Sequence, residues 1–246
     1  MFSSDQILKI EKEISSKVNG KTLFDEFSRG RYSTDASVYQ IKPIGVVLPK
    51  DTNDVLNVME YSQKNSIPLL ARGGGSSQCG QTVGESLVLD YSRHQNNILE
   101  FNVKEKSVWV EPGVVLDHLN AYLKPFGLWF PVDVSTSSRA TIGGMSANNS
   151  CGSRSLYYGN MVHNVLAIET ILDDGSIHTF DEIQKNYLVQ KNNQDRLYKI
   201  IDKFIDLRQR VGTEIDENWP TTQRRVGGYN IDLIDPNGFN SSNILV

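Results

Sequence analysis

The residues best suited to chemistry form one stretch, Ala71-Arg72-Gly73-Gly74-Gly75-Ser76-Ser77-Gln78-Cys79-Gly80. Three consecutive glycines remove side chains where backbone N–H groups can close around an anion, and an arginine and two hydroxyls flank them. Such a loop is a candidate phosphate cradle. Its spacing matches neither the dinucleotide G-x-G-x-x-G nor the phosphate-loop G-x-x-x-x-G-K-[ST], because Gln78 stands three places after Gly75 and Gln81 follows Gly80. Taken alone, the stretch reads equally as a Gly/Ser turn.

A second stretch changes that balance. Pro131 to Gly152 is almost wholly small or polar, and its only charged residues are Asp133 and Arg139. A linker of this length is usually more charged or richer in proline. Inside a compact domain, such a segment suits a chain laid along a ligand. Its glycines admit close backbone approach, and its hydroxyls and amides supply polar contacts.

Other reactive residues are sparse. His94, His118, His163 and His178 lie at spacings that form no metal motif, so no metal site is expected. His163 is the nearest to the small-residue stretch. Cys79 and Cys151 are too few for a disulfide framework or a zinc site, and free thiols are the expectation. Both lie in Gly/Ser-rich stretches, and whether they meet at one site is left open. Arg224 and Arg225 precede Gly227-Gly228-Tyr229 and are read either as a carboxylate clamp or as a solvated charge pair.

The elements that must position these residues follow from periodicity. Residues 5–18 space Ile7, Leu8, Ile10, Ile14 and Val18 as an amphipathic helix, and Arg29 to Asp35 then reads as a polar loop. Ile44–Pro49 is a strand, Asp51 or Thr52 caps a helix whose Val55, Val58, Met59 and Ser62 share a face, and Ile67–Leu70 is the next strand. This is a βαβ unit with the glycine loop at the carboxyl end of its second strand, where open α/β sheets commonly bind ligands. Leu87–Asp90, Ile98–Phe101 and Ser107–Glu111 shift to hairpin spacing; a helix carrying Leu116, Leu119 and Leu123 follows, and Leu128–Pro131 is extended. Asp173-Asp174-Gly175 between two apolar runs is the strongest hairpin signal. Leu197, Ile201 and Phe204 mark a helix, and Asn243–Val246 reads as a strand cut midway.

Composition bounds the class. The chain has 246 residues, is 39% hydrophobic and 22% charged, and carries a formal charge of -4, ordinary values for a folded globular chain. With no basic run, nucleic acid is excluded as a first partner. No apolar run approaches a membrane span, and the amino terminus lacks a signal-peptide core, so a cytoplasmic location is expected.

The ordered set Arg31-Tyr32-Ser33-Thr34-Asp35, Ala71–Ser76, Pro131-x-Asp133, Ala140-Thr141-Ile142-Gly143-Gly144-Met145, Tyr158-Gly159 and Asp174-Gly175 resembles the FAD-binding domain of the vanillyl-alcohol-oxidase/PCMH flavoprotein superfamily. The likeness covers roughly residues 28–235 and is greatest to FAD-linked D-2-hydroxy-acid dehydrogenases of the D-lactate, glycolate and D-2-hydroxyglutarate types. It implies an α+β PCMH-type fold: a small parallel βαβ subdomain at about 31–105 and a larger, mostly antiparallel subdomain with helices at about 106–235, with FAD between them. Residues 1–30 are then an N-terminal helical segment, and 236–246 begin a substrate or cap domain. The chain would be an N-terminal piece of a longer protein, itself cytoplasmic or peripheral to a membrane.

By the same resemblance, Arg72, Gly73, Gly74, Gly75, Ser76, Ser77 and Gly80 wrap the pyrophosphate. Pro131, Asp133, Ser138, Ala140, Thr141, Gly143, Gly144, Asn148, Gly152 and Gly159 line the rest of the flavin, and the Ile168 backbone meets the adenine end. Ser76 replaces the histidine of covalently flavinylated members, which implies non-covalent FAD. The implied reaction is oxidation of a small 2-hydroxy acid by hydride transfer, with an unassigned electron acceptor and, in the longer protein, a downstream cap domain and in some relatives an iron–sulfur region. The catalytic residues stay unassigned, with Arg224, Arg225 and His163 as candidates. The alternatives are a non-catalytic nucleotide-binding module of the same fold, or an oxidase or reductase of the superfamily acting on another substrate.

Overall fold

The computed structural model describes residues 2–184, 195–222 and 224–246. The chain divides into two compact units, Met1–Phe130 with Ser135–Met145, and Pro131–Val134 with Ser146–Val246.

In the first unit, helix α1 (Ser4–Ser15) starts one residue before the expected position because Ser3 and Gln6 form a capping box. Strand β1 (Lys21–Leu23) follows, and then α2 (Glu26–Arg31). The sequence suggests a loop from Arg29, yet the helix runs on to Arg31. The Asp25 carboxylate accepts the Ser28 N–H at 2.9 Å, and this cap starts a turn that Gly30 does not break. Strand β2 (Gly45–Leu48) is wholly buried, and α3 (Thr52–Asn65) is capped by Asp51 and presents Val55 and Val58 to the core.

Strand β3 (Leu69–Arg72) carries the chain to the glycine loop, and β4 (Leu87–Asp90) completes a four-stranded sheet in the order β1-β2-β4-β3. β4 pairs in parallel with both β2 and β3, so the βαβ strands are not neighbours. Leu87–Asp90, grouped with the hairpins by sequence spacing, takes the centre because its run is buried at every position. β5 (Ile98–Asn102) and β6 (Ser107–Val110) form an antiparallel pair, and α4 (Leu116–Leu123) buries Leu119 and Leu123 among Ile98, Val108 and Phe130. Leu128–Pro131, read as extended, lies outside the helices and strands. From the first unit, α5 (Ile142–Ala147) carries the chain into the second.

In the second unit, α6 (Ser155–Tyr158) precedes the hairpin of β7 (Ile168–Ile171) and β8 (Ile177–Phe180), which turns at Gly175 as expected. β9 (Glu182–Gln184) pairs with β10 (Gly238–Asn240). Over them, α7 (Arg196–Arg210) packs Ile201 and Ile205 against Ile183, Ile234, Phe239 and Ile244, and α8 (Gly212–Asn218) follows. Residues 241–244 form a 3-10 turn, not a strand, because the Asn240 side chain accepts the Ser242 N–H at 2.9 Å and starts a turn. The fold is thus α+β, with parallel and antiparallel parts, and its antiparallel strands outside the four-stranded sheet form two-stranded pairs.

Candidate functional site

The glycine loop leaves the carboxyl end of β3; Gly73 and Gly74 are held to glycine by protein neighbours, and Gly75 by its backbone conformation. A Cβ on Gly73 would fall 2.1 Å from Thr141 Oγ1, one on Gly74 2.1 Å from the Arg139 carbonyl oxygen, and one on Gly75 2.5 Å from Arg72 Nη2. Gly75 and Gly80 also adopt φ of 62° and 76°, which a β-carbon strains. Without β-carbons, Gly73 and Gly74 sit directly against Thr141 and Arg139. The backbone N–H groups of Gly73, Gly74, Gly75, Ser76 and Ser77 donate to no acceptor among the described residues. Five successive amides without a protein partner, in a half-exposed loop, are the donor set an anionic phosphate group requires. The FAD pyrophosphate fits this set by charge and by donor type. The Ser77 hydroxyl lies against the Gln81 side chain.

Around the loop, Arg72 Nη1 donates to the carbonyls of Tyr32 at 3.3 Å and Thr82 at 3.0 Å, and Nη2 donates to that of Thr34 at 2.8 Å. Tyr32 donates its hydroxyl to Asp90 Oδ2 at 2.6 Å. Burial, reinforced by that carboxylate, pushes the Tyr32 phenol above its ordinary range, and burial lowers the Arg72 guanidinium. Asp35 accepts the Thr82 hydroxyl at 3.0 Å. Burial works against its charge, but hydrogen bonds from Ser37 and Thr82 outweigh that and hold it below the usual carboxylate range. Tyr32 and Asp35 belong to a sequence motif that gives them no role, and nothing local marks Thr82 or Asp90. A tyrosine and an aspartate 58 residues apart leave no local signal.

The expected lining residues of the first unit serve packing as well. Ala140 and Thr141 are buried, and the Ala140 carbonyl accepts the Leu116 N–H at 3.0 Å. At the start of α5, the N–H groups of Ile142, Gly143 and Gly144 go to Val114 O, Pro112 O and Thr141 Oγ1, so these amides are engaged within the protein. Gly143 is required because a Cβ there would fall 2.6 Å from that of Pro112. Ser138 is exposed.

In the second unit, Asp133 is the organising residue. Its carboxylate accepts Ser153 Oγ at 2.8 Å and the Arg154 N–H at 2.9 Å; these bonds outweigh burial and keep it below the ordinary range. Gly152 lies so close to Asp133 that no β-carbon fits between them. Pro131 is half-buried and Asn148 is exposed, with its amide 3.3 Å from Ser150 Oγ. Gly159 needs its φ of 80° and packs on His163, and Ile168 opens β7 opposite Phe180. Missed by the sequence reading is Asn149, buried at φ 40°. Its Oδ1 accepts the Val162 N–H at 3.1 Å, and its amide reaches Asn230.

The catalytic candidates separate clearly. His163 is exposed, and its Nδ1 accepts the Asn160 N–H at 3.0 Å, which places the proton of the neutral ring on Nε2. Arg225 is paired with Asp232 and lies over the Trp219 ring at 5.8 Å. Arg224 is exposed, with Nη2 3.1 Å from Cys151 Sγ. Gln223, beside it, lies outside the described residues. Cys79 and Cys151 are both free thiols. Among the described residues, no group of His, Cys, Asp and Glu could hold a metal ion, and no helix is long and apolar enough to cross a membrane.

Comparison with known proteins places these features in a family. Residues 43–181 match the family described as FAD binding domain. The chain is 42% identical over 64% of its length to a D-2-hydroxyglutarate dehydrogenase of Pantoea ananatis, covering 16% of that protein. It is 36% identical over 86% of its length to the D-2-hydroxyglutarate dehydrogenase of Escherichia coli, covering 21% of it. The chain therefore spans about a fifth of the length of the relatives it matches. Among solved structures, Physcomitrella patens BBE-like 1 superposes with a TM-score of 0.61 at 20% identity, over 74% of this chain and 38% of that one, a likeness of fold.

Proposed function

The chain belongs to the FAD-binding domain family, and we propose that it is the flavin-holding part of a dehydrogenase that oxidises a small 2-hydroxy acid. The observation that carries this reading is the run of five backbone amides, Gly73 to Ser77, with no protein acceptor among the described residues. The relatives named D-2-hydroxyglutarate dehydrogenase support the substrate class.

When bound, FAD supplies the hydride-accepting chemistry. The protein's part is to hold and orient. The Gly73–Ser77 amides take the pyrophosphate, and Asp133, ionised at neutral pH, fixes residues 152–154 of the second unit. No histidine occurs between Arg72 and Gly80, and the FAD is proposed to be non-covalent. Of the two arginines, Arg224 is the better candidate for a substrate carboxylate, because Arg225 is already neutralised by Asp232. His163 is left with Nε2–H as a donor toward substrate oxygen.

We assign the remaining organisation in the same way: residues 31–235 form the body of the flavin domain, the segment 1–30 adds β1 to its four-stranded sheet, and 236–246, with Phe239 and Ile244 packed into the second unit, lead toward a further region. The experiment is direct. A protein carrying this chain and the rest of its length is mixed anaerobically with D-2-hydroxy acids of one and two carboxylates. Bleaching of the flavin absorbance supports the proposal, and a flavoprotein that no 2-hydroxy acid bleaches refutes the substrate class.

A further inference from the structure

This inference rests on the reading that the glycine loop holds the pyrophosphate. An arginine at the head of an anion-binding loop looks like an anion ligand, yet the Arg72 guanidinium is engaged elsewhere. It donates to three backbone carbonyls at once, Tyr32 at 3.3 Å, Thr82 at 3.0 Å and Thr34 at 2.8 Å. Its carbon lies 5.2 Å from the Tyr32 ring centroid, and Tyr32 is anchored to the buried Asp90, the residue opposite Arg72 in the β3–β4 ladder. Thr82 is held in turn by Asp35. On its other side, the guanidinium meets Gly75, where a Cβ would fall 2.5 Å from Nη2.

One planar fork therefore joins residues 32–34, residue 82 and the middle of the loop. Lysine, a point charge on a flexible stem, cannot hold three carbonyls in fixed directions. We propose that Arg72 is a positioning residue that fixes the loop through the carbonyls of Tyr32, Thr34 and Thr82, and that the anion is held by the Gly73–Ser77 amides and not by the Arg72 charge.

The test uses the chain with Arg72→Lys, Arg72→Gln and Thr82→Val, reading the FAD Kd over a range of salt and amide hydrogen exchange without FAD. Both Arg72 variants should weaken FAD about tenfold or more, the loss of one charge-assisted hydrogen bond or more. Both should speed exchange at Ser33, Ile41 and Val83, whose N–H groups bond within the tied segments. The Gln variant should keep the wild-type salt dependence, because screening acts on a charge that faces the anion. Thr82→Val, which frees Thr82 from Asp35 and leaves Arg72 intact, should weaken FAD by a smaller factor.

A Lys variant that binds FAD like wild type while Gln does not, a flattened salt dependence in Gln, or unchanged affinity in both overturns the proposal. If the Arg72 variants do not fold, Thr82→Val decides, and wild-type affinity there counts against it. A folded wild-type chain that binds no FAD refutes the functional reading instead. The inference is then judged by exchange in Arg72→Lys, where unchanged rates at Ser33, Ile41 and Val83 overturn it.

Discussion

A methyl group on Gly74 would fall 2.1 Å from the Arg139 carbonyl oxygen, so the glycine loop and the Arg139–Thr141 segment meet backbone to backbone. A backbone oxygen cannot swing aside as the end of a side chain can. Gly74→Ala should therefore cost about 1–3 kcal/mol in denaturant unfolding and weaken FAD binding. Gly30 in α2 has nothing within 4 Å of its β position. Gly30→Ala is expected to stabilise by about 0.4–1 kcal/mol, a control that shares the chemistry and lacks the contact.

Tyr32→Phe removes the hydroxyl from Asp90 and leaves a buried carboxylate oxygen short of a donor, at a cost of about 1–3 kcal/mol. The pH dependence has a definite sign. The folded phenol titrates above its unfolded value, so its contribution is complete below about pH 10 and is lost as pH rises toward the folded value. Chemical unfolding on the alkaline side should show the variant falling less steeply than wild type.

On the acid side the carboxylates reverse that sign. Asp35 and Asp133 both titrate below their ordinary value in the folded chain. Their contribution is present above about pH 4 and is lost as pH falls through the lower folded values. Asp35→Asn and Asp133→Asn should each flatten the acid limb of the stability profile, read from urea midpoints.

The adjacent arginines should behave oppositely. Arg225→Met breaks a partly buried pair and leaves Asp232 short of a donor, at about 1–3 kcal/mol, and the added change Asp232→Leu should recover part of that. Arg224→Ala should leave stability within about 0.5 kcal/mol and, in the full-length protein, raise the substrate KM. A large stability loss in Arg224→Ala would remove it as the substrate-binding candidate.

Much of this architecture was legible in local patterns. The turn at Gly175, the Asp51-capped helix and the glycine loop after β3 are set by residues within a few positions of one another. What sequence reasoning missed depends on distant partners. Leu87–Asp90 has the length of a hairpin strand, and only its burial on both faces puts it between β2 and β3. Gly73 and Gly74 read as openings toward a ligand, and their missing side chains also make room for Thr141 and Arg139. Arg224 and Arg225 are equivalent in sequence, and only the fold sets Asp232 beside Arg225.

Titration of the purified chain with FAD, followed by acid precipitation, reads whether the Gly73–Ser77 loop holds a non-covalent flavin. Binding should be saturable and competed by excess inorganic pyrophosphate, with all of the flavin released into the acid supernatant. A folded chain that takes up no FAD, or flavin that stays with the precipitated protein, would contradict the proposed site.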